Sequence, residues 1–267
     1  MARIGLIAGY GTIPIIFAQK AKEKGDTVIA LGLKGVTSGE LERHVDKMHW
    51  LEWGQFHKAL MLVVTERLRK IVLLGKIKKD LLFKDEGKLD DEIKTIINKA
   101  GDRKDYAILK QIANVVAKFG IEIIDSTTYL GHLIPQKGVL TKRSPTPQES
   151  EDIEYGRTVA RELARLDIGQ TLAVSNKTVI AIEGVEGTDE AIKRAGSLSR
   201  IGFIVVKVAR PDQDMRFDVP LVGLDTLKVI AEAGGKALAL EGGKTLLVDR
   251  EEMIKLADEK GISIVII

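Results

Sequence analysis

The sequence predicts an α/β protein built from two domains. In the first half of the chain, short apolar runs alternate with segments whose apolar residues recur at helical spacing, which is typical of a parallel sheet covered by helices. Residues 134–148 contain three prolines and little periodicity and are predicted to be a linker, although a long surface loop within one domain would look the same. Asn176-Lys177 separates two apolar runs as a hairpin turn would, which indicates a mixed sheet in the second half. We therefore expect an N-terminal α/β domain with a Rossmann-like parallel sheet over 1–132, a linker over 133–148, and a C-terminal α/β domain over 149–267.

The individual elements follow from local apolar patterns, taken in chain order. In the first domain, apolar runs rich in β-branched residues predict strands over 3–8, 27–33, 47–50, 70–75 and 121–124. Apolar residues near the 3.6-residue period predict helices over 13–24, 55–69 and 104–119. In the second domain, the predicted strands span 170–175, 179–182, 203–208, 237–240, 245–248 and 262–267. The predicted helices there span 149–166, 189–196, 224–233 and 250–260.

The composition excludes several classes of function. The 267 residues contain no cysteine, which rules out disulfides, thiolate metal sites and cysteine nucleophiles. Aromatic residues make up only 4%, and the 41 basic and 38 acidic residues nearly balance, so we expect no nucleic-acid partner. No apolar stretch reaches the roughly 18 to 20 residues that span a bilayer, and no signal segment precedes the first strand. The chain is therefore expected to be cytoplasmic, with contact at a membrane surface left open.

A charged loop after the 203–208 strand is the most informative feature of the sequence. Carboxylates suit Mg²⁺ and guanidinium groups suit phosphate oxygens, so Asp214 and Asp218 are predicted to bind a metal or activate water, with Arg216 as the third catalytic residue and Lys207 in contact with the substrate. In an extended segment the two aspartates and Arg216 share one face, and Phe217 would pack on the other as an anchor. The alternative is a solvated loop whose charges only form surface ion pairs.

A glycine loop joins the first predicted strand to the first predicted helix. Gly9 and Gly11 let the main chain approach a ligand, and the start of the helix presents unpaired N–H groups to an anion. We predict a nucleotide or phosphate contact at Gly9, Tyr10, Gly11 and Thr12. The pattern lacks the third glycine of the dinucleotide fingerprint, since Pro14 stands there, and a merely tight strand–helix turn is the alternative.

Two further loops follow predicted strands. The loop after 179–182 contains Glu183 and Glu186, and its Thr188 or Asp189 is a plausible helix N-cap. We add Glu186 and Asp189 to the predicted metal ligands and Thr188 to the predicted substrate contacts. Glu183 could bind a metal or point into solvent. Lys76, after the 70–75 strand, is predicted to reach a phosphate, although a surface lysine would look the same.

Motifs along the whole chain resemble one known family. They are, in order, GLIAGYGTIP, GKIKKD, GDRKD, VLT, DIGQTLAV, IEGVEGTDEAI and VKVARPDQDMRFDVPLVGLDTL. Together they resemble the LpxI-type UDP-2,3-diacylglucosamine pyrophosphatases, and the C-terminal motifs are the specific part. The resemblance implies a two-domain enzyme of lipid A biosynthesis that holds its substrate between the domains.

The same resemblance implies Mg²⁺-dependent hydrolysis of UDP-2,3-diacylglucosamine to UMP and lipid X. From the carboxylate donors we expect Mn²⁺ to be able to replace Mg²⁺. It carries over the acidic motif at Asp214 and Asp218, the turn at 186–189 and the glycine loop. The implied partner is a lipid-linked nucleotide sugar, with a homodimer and peripheral contact at the inner membrane left open. Two alternatives remain: a nucleotide-sugar binding protein without catalysis, and a phosphohydrolase acting on another nucleotide.

Overall fold

The structure is a computed structural model and describes residues 1–76, 89–99, 105–217 and 219–267. The chain divides into two compact units. The first comprises Met1–Gly131 together with the short segment Met215–Asp218, and the second comprises His132–Asp214 and Val219–Ile267. The first unit is therefore not one continuous stretch of sequence, because four residues from the second half of the chain belong to it.

The described part of the first unit contains a parallel five-stranded sheet, which confirms the α/β prediction for this half. Its strands are β1 (Arg3–Ala8), β2 (Thr27–Leu33), β3 (Lys47–Leu51), β4 (Lys70–Leu74) and β5 (Glu122–Ile123). They lie in the order β3-β2-β1-β4-β5, and every neighbouring pair runs parallel. β1 and β2 are apolar and buried along most of their length, because a parallel sheet is covered on both faces.

Helices accompany the strands of this sheet. They are α1 (Ile13–Glu23), α2 (Phe56–Thr65), α3 (Asp91–Lys99) and α4 (Asp105–Ala117), and a 3₁₀ helix spans Gly39–His44. α1 has Pro14 in its first turn, where the missing N–H costs no helical hydrogen bond. α3 was not predicted, although Ile93 and Ile96 lie at helical spacing. Both are buried in a cluster with Leu89 and Ile108.

The second unit contains the mixed sheet that the hairpin indicated. The second-unit strands are β6 (Gly138–Val139), β7 (Thr171–Ser175), β8 (Thr178–Ile182), β9 (Phe203–Lys207), β10 (Leu221–Val222), β11 (Gly235–Leu240), β12 (Leu246–Leu247) and β13 (Ser263–Ile266). Six of them lie in the order β6-β13-β11-β9-β7-β8. β9, β11 and β13 run parallel, whereas β7 is antiparallel to both its neighbours and β6 is antiparallel to β13. β10 and β12 pair separately as a short parallel ladder.

The second-unit helices are α5 (Pro147–Arg165), α6 (Thr188–Leu198), α7 (Leu224–Glu232) and α8 (Arg250–Lys260). α5 starts with a capping box, in which Glu149 N–H donates to Thr146 Oγ1 at 3.2 Å and Thr146 N–H donates to Glu149 Oε2 at 2.9 Å. In the ranges that the structure describes, every helix is too short or too polar to cross a membrane.

The predicted hairpin turn is present between β7 and β8. Asn176 and Lys177 have φ angles of 49° and 53°, as a two-residue hairpin with the right-handed twist of the strands requires. The buried carboxylate of Asp152 in α5 accepts both of their N–H groups, at 2.9 and 2.7 Å. A side chain distant in sequence therefore fixes the turn.

Residues 133–148 belong to the second unit, so the predicted free linker is corrected. β6 lies within this segment and pairs with β13. Leu140 N–H donates to Ile264 O at 2.9 Å, and the Arg143 guanidinium donates to Ser263 Oγ at 2.7 Å. A two-residue edge strand is too short to leave a periodic pattern in the sequence, which explains the error.

Candidate functional site

The carboxyl ends of β1 and β4 form the first candidate site. The strand order reverses between them, and open α/β sheets bind ligands beyond the strand ends at such a reversal. The loops that follow the two strands are joined there. Gly9 N–H donates to Leu74 O at 2.8 Å, and Tyr10 and Lys76 exchange main-chain hydrogen bonds of 2.8 and 2.9 Å. The structure therefore brings to one edge the residues predicted to contact a nucleotide in the first half of the chain, namely Gly9, Tyr10, Gly11, Thr12 and Lys76.

Gly9 and Gly11 are glycines for different structural reasons. A Cβ on Gly9 would lie 2.7 Å from Lys76 O, and a Cβ on Gly75 would lie 2.8 Å from the carbonyl carbon of Gly9, so the two loops touch main chain to main chain. Gly11 has a φ of 110°, and a Cβ there would meet none of the described atoms within 4 Å. Packing therefore explains Gly9, whereas Gly11 borders open space that a ligand can occupy.

The side chains around Gly11 are accessible. Tyr10 is 61% exposed, and Thr12 and Lys76 are exposed as well. Thr12 occupies the N-cap position of α1, but its hydroxyl makes no capping hydrogen bond. Unpaired N–H groups at the start of a helix attract anions, and here the start of α1 lies close to an exposed lysine, Lys76.

The segment Met215–Phe217 contacts the same unit close to these strand ends. Ser126, which lies shortly after β5 and is 1% exposed, donates its N–H to Met215 O at 3.0 Å. Its Oγ lies 3.1 Å from Arg216 O and 3.2 Å from Leu73 O in β4. Phe217 packs against the core cluster of the first unit, in agreement with its predicted role as an anchor.

The predicted catalytic residues lie in and beside this segment. Residues 215–217 form a turn rather than the extended stretch that was predicted, so strand alternation does not place the aspartates and Arg216 on one face. Asp214 is half-buried and Arg216 is exposed. The Arg216 guanidinium carbon lies 4.8 Å from the centre of the Phe217 ring, which limits the directions that the side chain can take. Asp218 lies outside the described residues.

A second group of candidate residues lies at the carboxyl ends of β8 and β9. Lys207 ends β9, is only 8% exposed, and donates to Thr171 Oγ1 at 3.1 Å and to Thr188 Oγ1 at 3.0 Å. Thr188 Oγ1 in turn donates to Glu183 Oε1 at 2.6 Å, and Gln170 N–H donates to Glu183 Oε2 at 3.3 Å. The structure therefore joins Lys207 and Thr188, both predicted as substrate contacts, to Glu183, whose role the sequence left open.

The electrostatic environment keeps Glu183 ionised. Burial alone would raise its pKa, but the Lys207 charge and the hydrogen bonds from Thr188, Thr171 and Gln170 outweigh burial and hold the pKa below its usual range. Glu183 is therefore predominantly in its charged form at neutral pH. Glu183 and Lys207 form a charged, mostly buried cluster whose hydrogen-bonding groups satisfy one another.

The loop that follows β8 differs from its prediction. Gly187, with a φ of 85°, is the N-cap of α6, and the capping role predicted for Thr188 or Asp189 is wrong. Glu186 pairs with Arg194 at 2.6 Å, and its pKa is lowered by its own N–H and then by Arg194. Asp189 Oδ1 accepts a hydrogen bond from the Thr226 hydroxyl at 2.9 Å.

The structure describes three of the four carboxylates predicted to bind a metal, and it does not bring Asp214, Glu186 and Asp189 together as a cluster. Across the described ranges, no three His, Asp or Glu side chains lie close enough to hold a metal ion together. Glu186 and Asp189 are engaged with a guanidinium and a hydroxyl instead. Mg²⁺, however, commonly takes only one or two carboxylates and completes its shell with phosphate oxygens and water. The donor chemistry of Asp214 and Asp218 fits that requirement.

A parallel sheet with a glycine loop at its strand-order reversal is typical of α/β proteins that bind phosphorylated ligands. Family models identify the particular family. The LpxI N-terminal domain matches residues 3–133, and the LpxI C-terminal domain matches residues 136–265. The chain belongs to the LpxI family.

Comparison with individual proteins agrees with this family. The chain is 30% identical over 274 aligned positions to the UDP-2,3-diacylglucosamine pyrophosphatase LpxI of Caulobacter vibrioides, covering 98% of this chain and 96% of that protein. Among solved structures, a biotin carboxylase from Campylobacter jejuni covers 73% of this chain and 41% of its own, with 12% identity and a TM-score of 0.29. A glycinamide-RNase-transformylase T from Mycobacterium tuberculosis covers 68% and 44%, with 14% identity and a TM-score of 0.26. Likeness this weak carries no argument about function.

Proposed function

We propose that this chain hydrolyses the pyrophosphate bond of UDP-2,3-diacylglucosamine in the presence of Mg²⁺ and releases UMP and 2,3-diacylglucosamine 1-phosphate. Family membership over nearly the whole chain and the named activity of the Caulobacter vibrioides relative support the substrate. The structural observation that carries the proposal is the glycine loop at the ends of β1 and β4, with the Met215–Phe217 turn packed on the same unit.

The reaction needs its phosphate charge neutralised and a water molecule held in line with the leaving group. Main-chain N–H groups near Gly11 and the Lys76 ammonium bind phosphate oxygens, and the exposed Arg216 guanidinium neutralises charge that develops on them. A carboxylate of the acidic loop accepts the proton of the attacking water. The water oxygen forms the new P–O bond, while the bridging P–O bond breaks and its electrons leave with the departing phosphate.

Asp214 and Asp218 are the residues that would hold Mg²⁺. When bound, the metal supplies further neutralisation of the phosphate oxygens. The two acyl chains of the substrate would bring the enzyme to a membrane surface, and the enzyme itself supplies no spanning helix within the described ranges.

Purified protein incubated with UDP-2,3-diacylglucosamine and Mg²⁺ should release UMP. Excess chelator should abolish the release, and added Mg²⁺ or Mn²⁺ should restore it. Asp214→Asn and Asp218→Asn should each lower kcat by roughly 10²-fold or more with little loss of thermal stability, because a metal ligand or base is lost. Asp212→Asn is the matched control, since Asp212 is an exposed aspartate of the same loop and its change should leave turnover intact.

Each negative result points to a different alternative. Binding of the substrate without UMP release would favour a nucleotide-sugar binding protein. Faster hydrolysis of a soluble nucleotide would favour another phosphohydrolase. Full turnover in excess chelator would contradict the metal requirement. Full turnover in both aspartate variants would move the search for the catalytic carboxylate to Glu183, Glu186 or Asp189, or to Asp225 in the first turn of α7.

A further inference from the structure

Ser126 is a buried residue with three main-chain partners, all of which are distant in sequence. Its N–H donates to Met215 O at 3.0 Å, and its hydroxyl lies 3.1 Å from Arg216 O, 90 residues away in sequence. The hydroxyl also lies 3.2 Å from Leu73 O in β4. Only 1% of Ser126 is exposed, so water is not available to replace these bonds.

The N–H bond to Met215 O, and the single hydroxyl proton that lies within reach of both Arg216 O and Leu73 O, connect the turn at residues 215–217 to the sheet. Leu73 precedes Leu74, whose carbonyl accepts the Gly9 N–H, so the hydroxyl of Ser126 contacts the strand that also holds the glycine loop. Because β1, β4 and β5 run parallel, their carboxyl ends lie along one edge. The main chain of Arg216 is therefore held by contacts to the same strands that carry the proposed phosphate site.

The side chain of Arg216 is restrained from a second direction. Its guanidinium carbon lies 4.8 Å from the centre of the Phe217 ring, and Phe217 packs against the first unit's core cluster, which includes Ile71 and Ile123 of β4 and β5. Main chain and side chain of Arg216 thus both depend on groups of the first unit. An exposed arginine with such restraints is preorganised, and preorganised charge is what stabilises a transition state without a cost of rearrangement.

We propose that Ser126 is a positioning residue for Arg216, fixing the turn at residues 215–217 so that the guanidinium is presented to a phosphate oxygen of the substrate. This inference rests on the proposed function. Ser126 touches no reacting atom and acts only through the carbonyls of Met215 and Arg216. Ser126 lies shortly after the short strand β5 and belongs to no recognisable motif. It nevertheless sets the geometry of a turn that lies in the other half of the sequence.

The test compares two buried serines in the full-length protein. Ser126→Ala should lower kcat by roughly 10- to 100-fold with KM within about threefold, because a displacement near 1 Å weakens transition-state contacts more than substrate binding. Ser263→Ala is the matched control. Ser263 is fully buried, and its hydroxyl likewise donates to a distant carbonyl, Arg143 O at 3.0 Å, but in the second unit. Its variant should keep the wild-type kcat.

Hydrogen exchange gives a reading that does not depend on activity. In Ser126→Ala the peptide covering residues 213–219 should exchange faster than in the wild type, whereas in Ser263→Ala it should not. If Ser126→Ala does not fold, Ser126→Cys keeps a side chain of similar shape with a weaker hydrogen-bond donor. The kcat of Ser126→Cys should be lower than that of the wild type.

The outcomes separate the two proposals. A folded Ser126→Ala or Ser126→Cys variant with wild-type kcat and unchanged exchange at 213–219 overturns the positioning role while the proposed function stands. If wild-type protein does not hydrolyse UDP-2,3-diacylglucosamine, the proposed function fails, and the exchange measurement alone decides whether Ser126 fixes the turn.

Discussion

The carboxyl edges of the two sheets are built from different chemical groups. At the end of β1, main-chain groups make the contacts, and the side chains of Tyr10 and Lys76 remain accessible. At the end of β9, a mostly buried lysine is engaged by two hydroxyls and lies near an ionised glutamate. A phosphate at the first edge would meet exposed side chains and, at Gly11, open space among the described residues. At the second edge, a phosphate that reached Lys207 would compete with contacts that already satisfy it.

The comparison teaches that a basic residue at a strand end is not by itself a ligand site. Lys76 and Lys207 both follow or end a parallel strand, and both were predicted to contact the substrate. The structure distinguishes them by exposure and by partners. Substitutions at Lys207, at the glycine loop and at Glu186 test the contrast between the two edges, and the largest effect is expected at the buried edge.

Lys207→Met should destabilise the protein by about 3–5 kcal/mol, because the mostly buried Glu183 charge would keep its hydrogen bonds but lose the opposite charge of Lys207. Denaturant unfolding at pH 7 measures the change, and Lys207→Met with Glu183→Gln should recover a large part of it. Since the pKa of Glu183 is held below its usual range, the stability it contributes is present at neutral pH and is lost as the pH falls through the lowered pKa. If the free energy of unfolding falls at acid pH in the same way in Glu183→Gln as in the wild type, this account is contradicted.

At the first edge, Gly9→Ala and Gly11→Ala should have separable effects. Gly9→Ala places a Cβ 2.7 Å from Lys76 O and should cost about 1–3 kcal/mol of stability, because main chain must move. Gly11→Ala meets open space and should cost about 1 kcal/mol from its φ of 110°. It should nevertheless weaken UDP binding by calorimetry, since its methyl group enters the space proposed for the ligand. Wild-type UDP affinity in Gly11→Ala would make the loop a structural turn only.

The smallest effect is expected at Glu186, which was predicted as a metal ligand. In the structure it forms an ion pair with Arg194 near the surface, and such pairs contribute little. Glu186→Gln should therefore leave the unfolding midpoint and the Mg²⁺ concentration for half-maximal turnover nearly unchanged. A clear rise in that Mg²⁺ concentration would return Glu186 to the metal site and would weaken the contrast between the two edges.

Much of the fold was predictable because parallel strands buried on both faces leave long apolar runs. β1, β2, β4 and β9 show this pattern, and their predicted bounds lie within about a residue of those observed. β6 and β10 were missed, because two-residue strands carry no period. β5 and β12 are as short, but they lie within apolar runs at 121–124 and 245–248 and were predicted from those runs. Residues 215–217 were predicted to be extended but form a turn. The local sequence does not reveal this turn, because it is held by contacts with Ser126, which is far away in sequence.

Candidate site residues were predictable where the residue type itself carries the chemistry. The glycine loop was found because glycines between a strand and a helix are informative on their own. Ser126 was missed because a lone serine has no motif, and the only available signal was a polar Asp125-Ser126-Thr127 run just past a strand end. Lys207 is hydrogen-bonded to Thr171 and Thr188, and such tertiary contacts cannot be predicted from the spacing of neighbouring residues.

The discontinuity of the first unit also limits how this chain can be recombined with its relatives. The family models divide the sequence between residues 133 and 136, which makes that point look like a natural crossover. A chimera joined there would place a relative's version of the 215–218 segment against this chain's Ser126 and the core surface on which Phe217 packs. A second pair of junctions around 215–218 would keep the inherited contacts together. To transfer the first unit of this protein intact, a chimera must therefore include one long stretch of sequence and four residues from the second half of the chain.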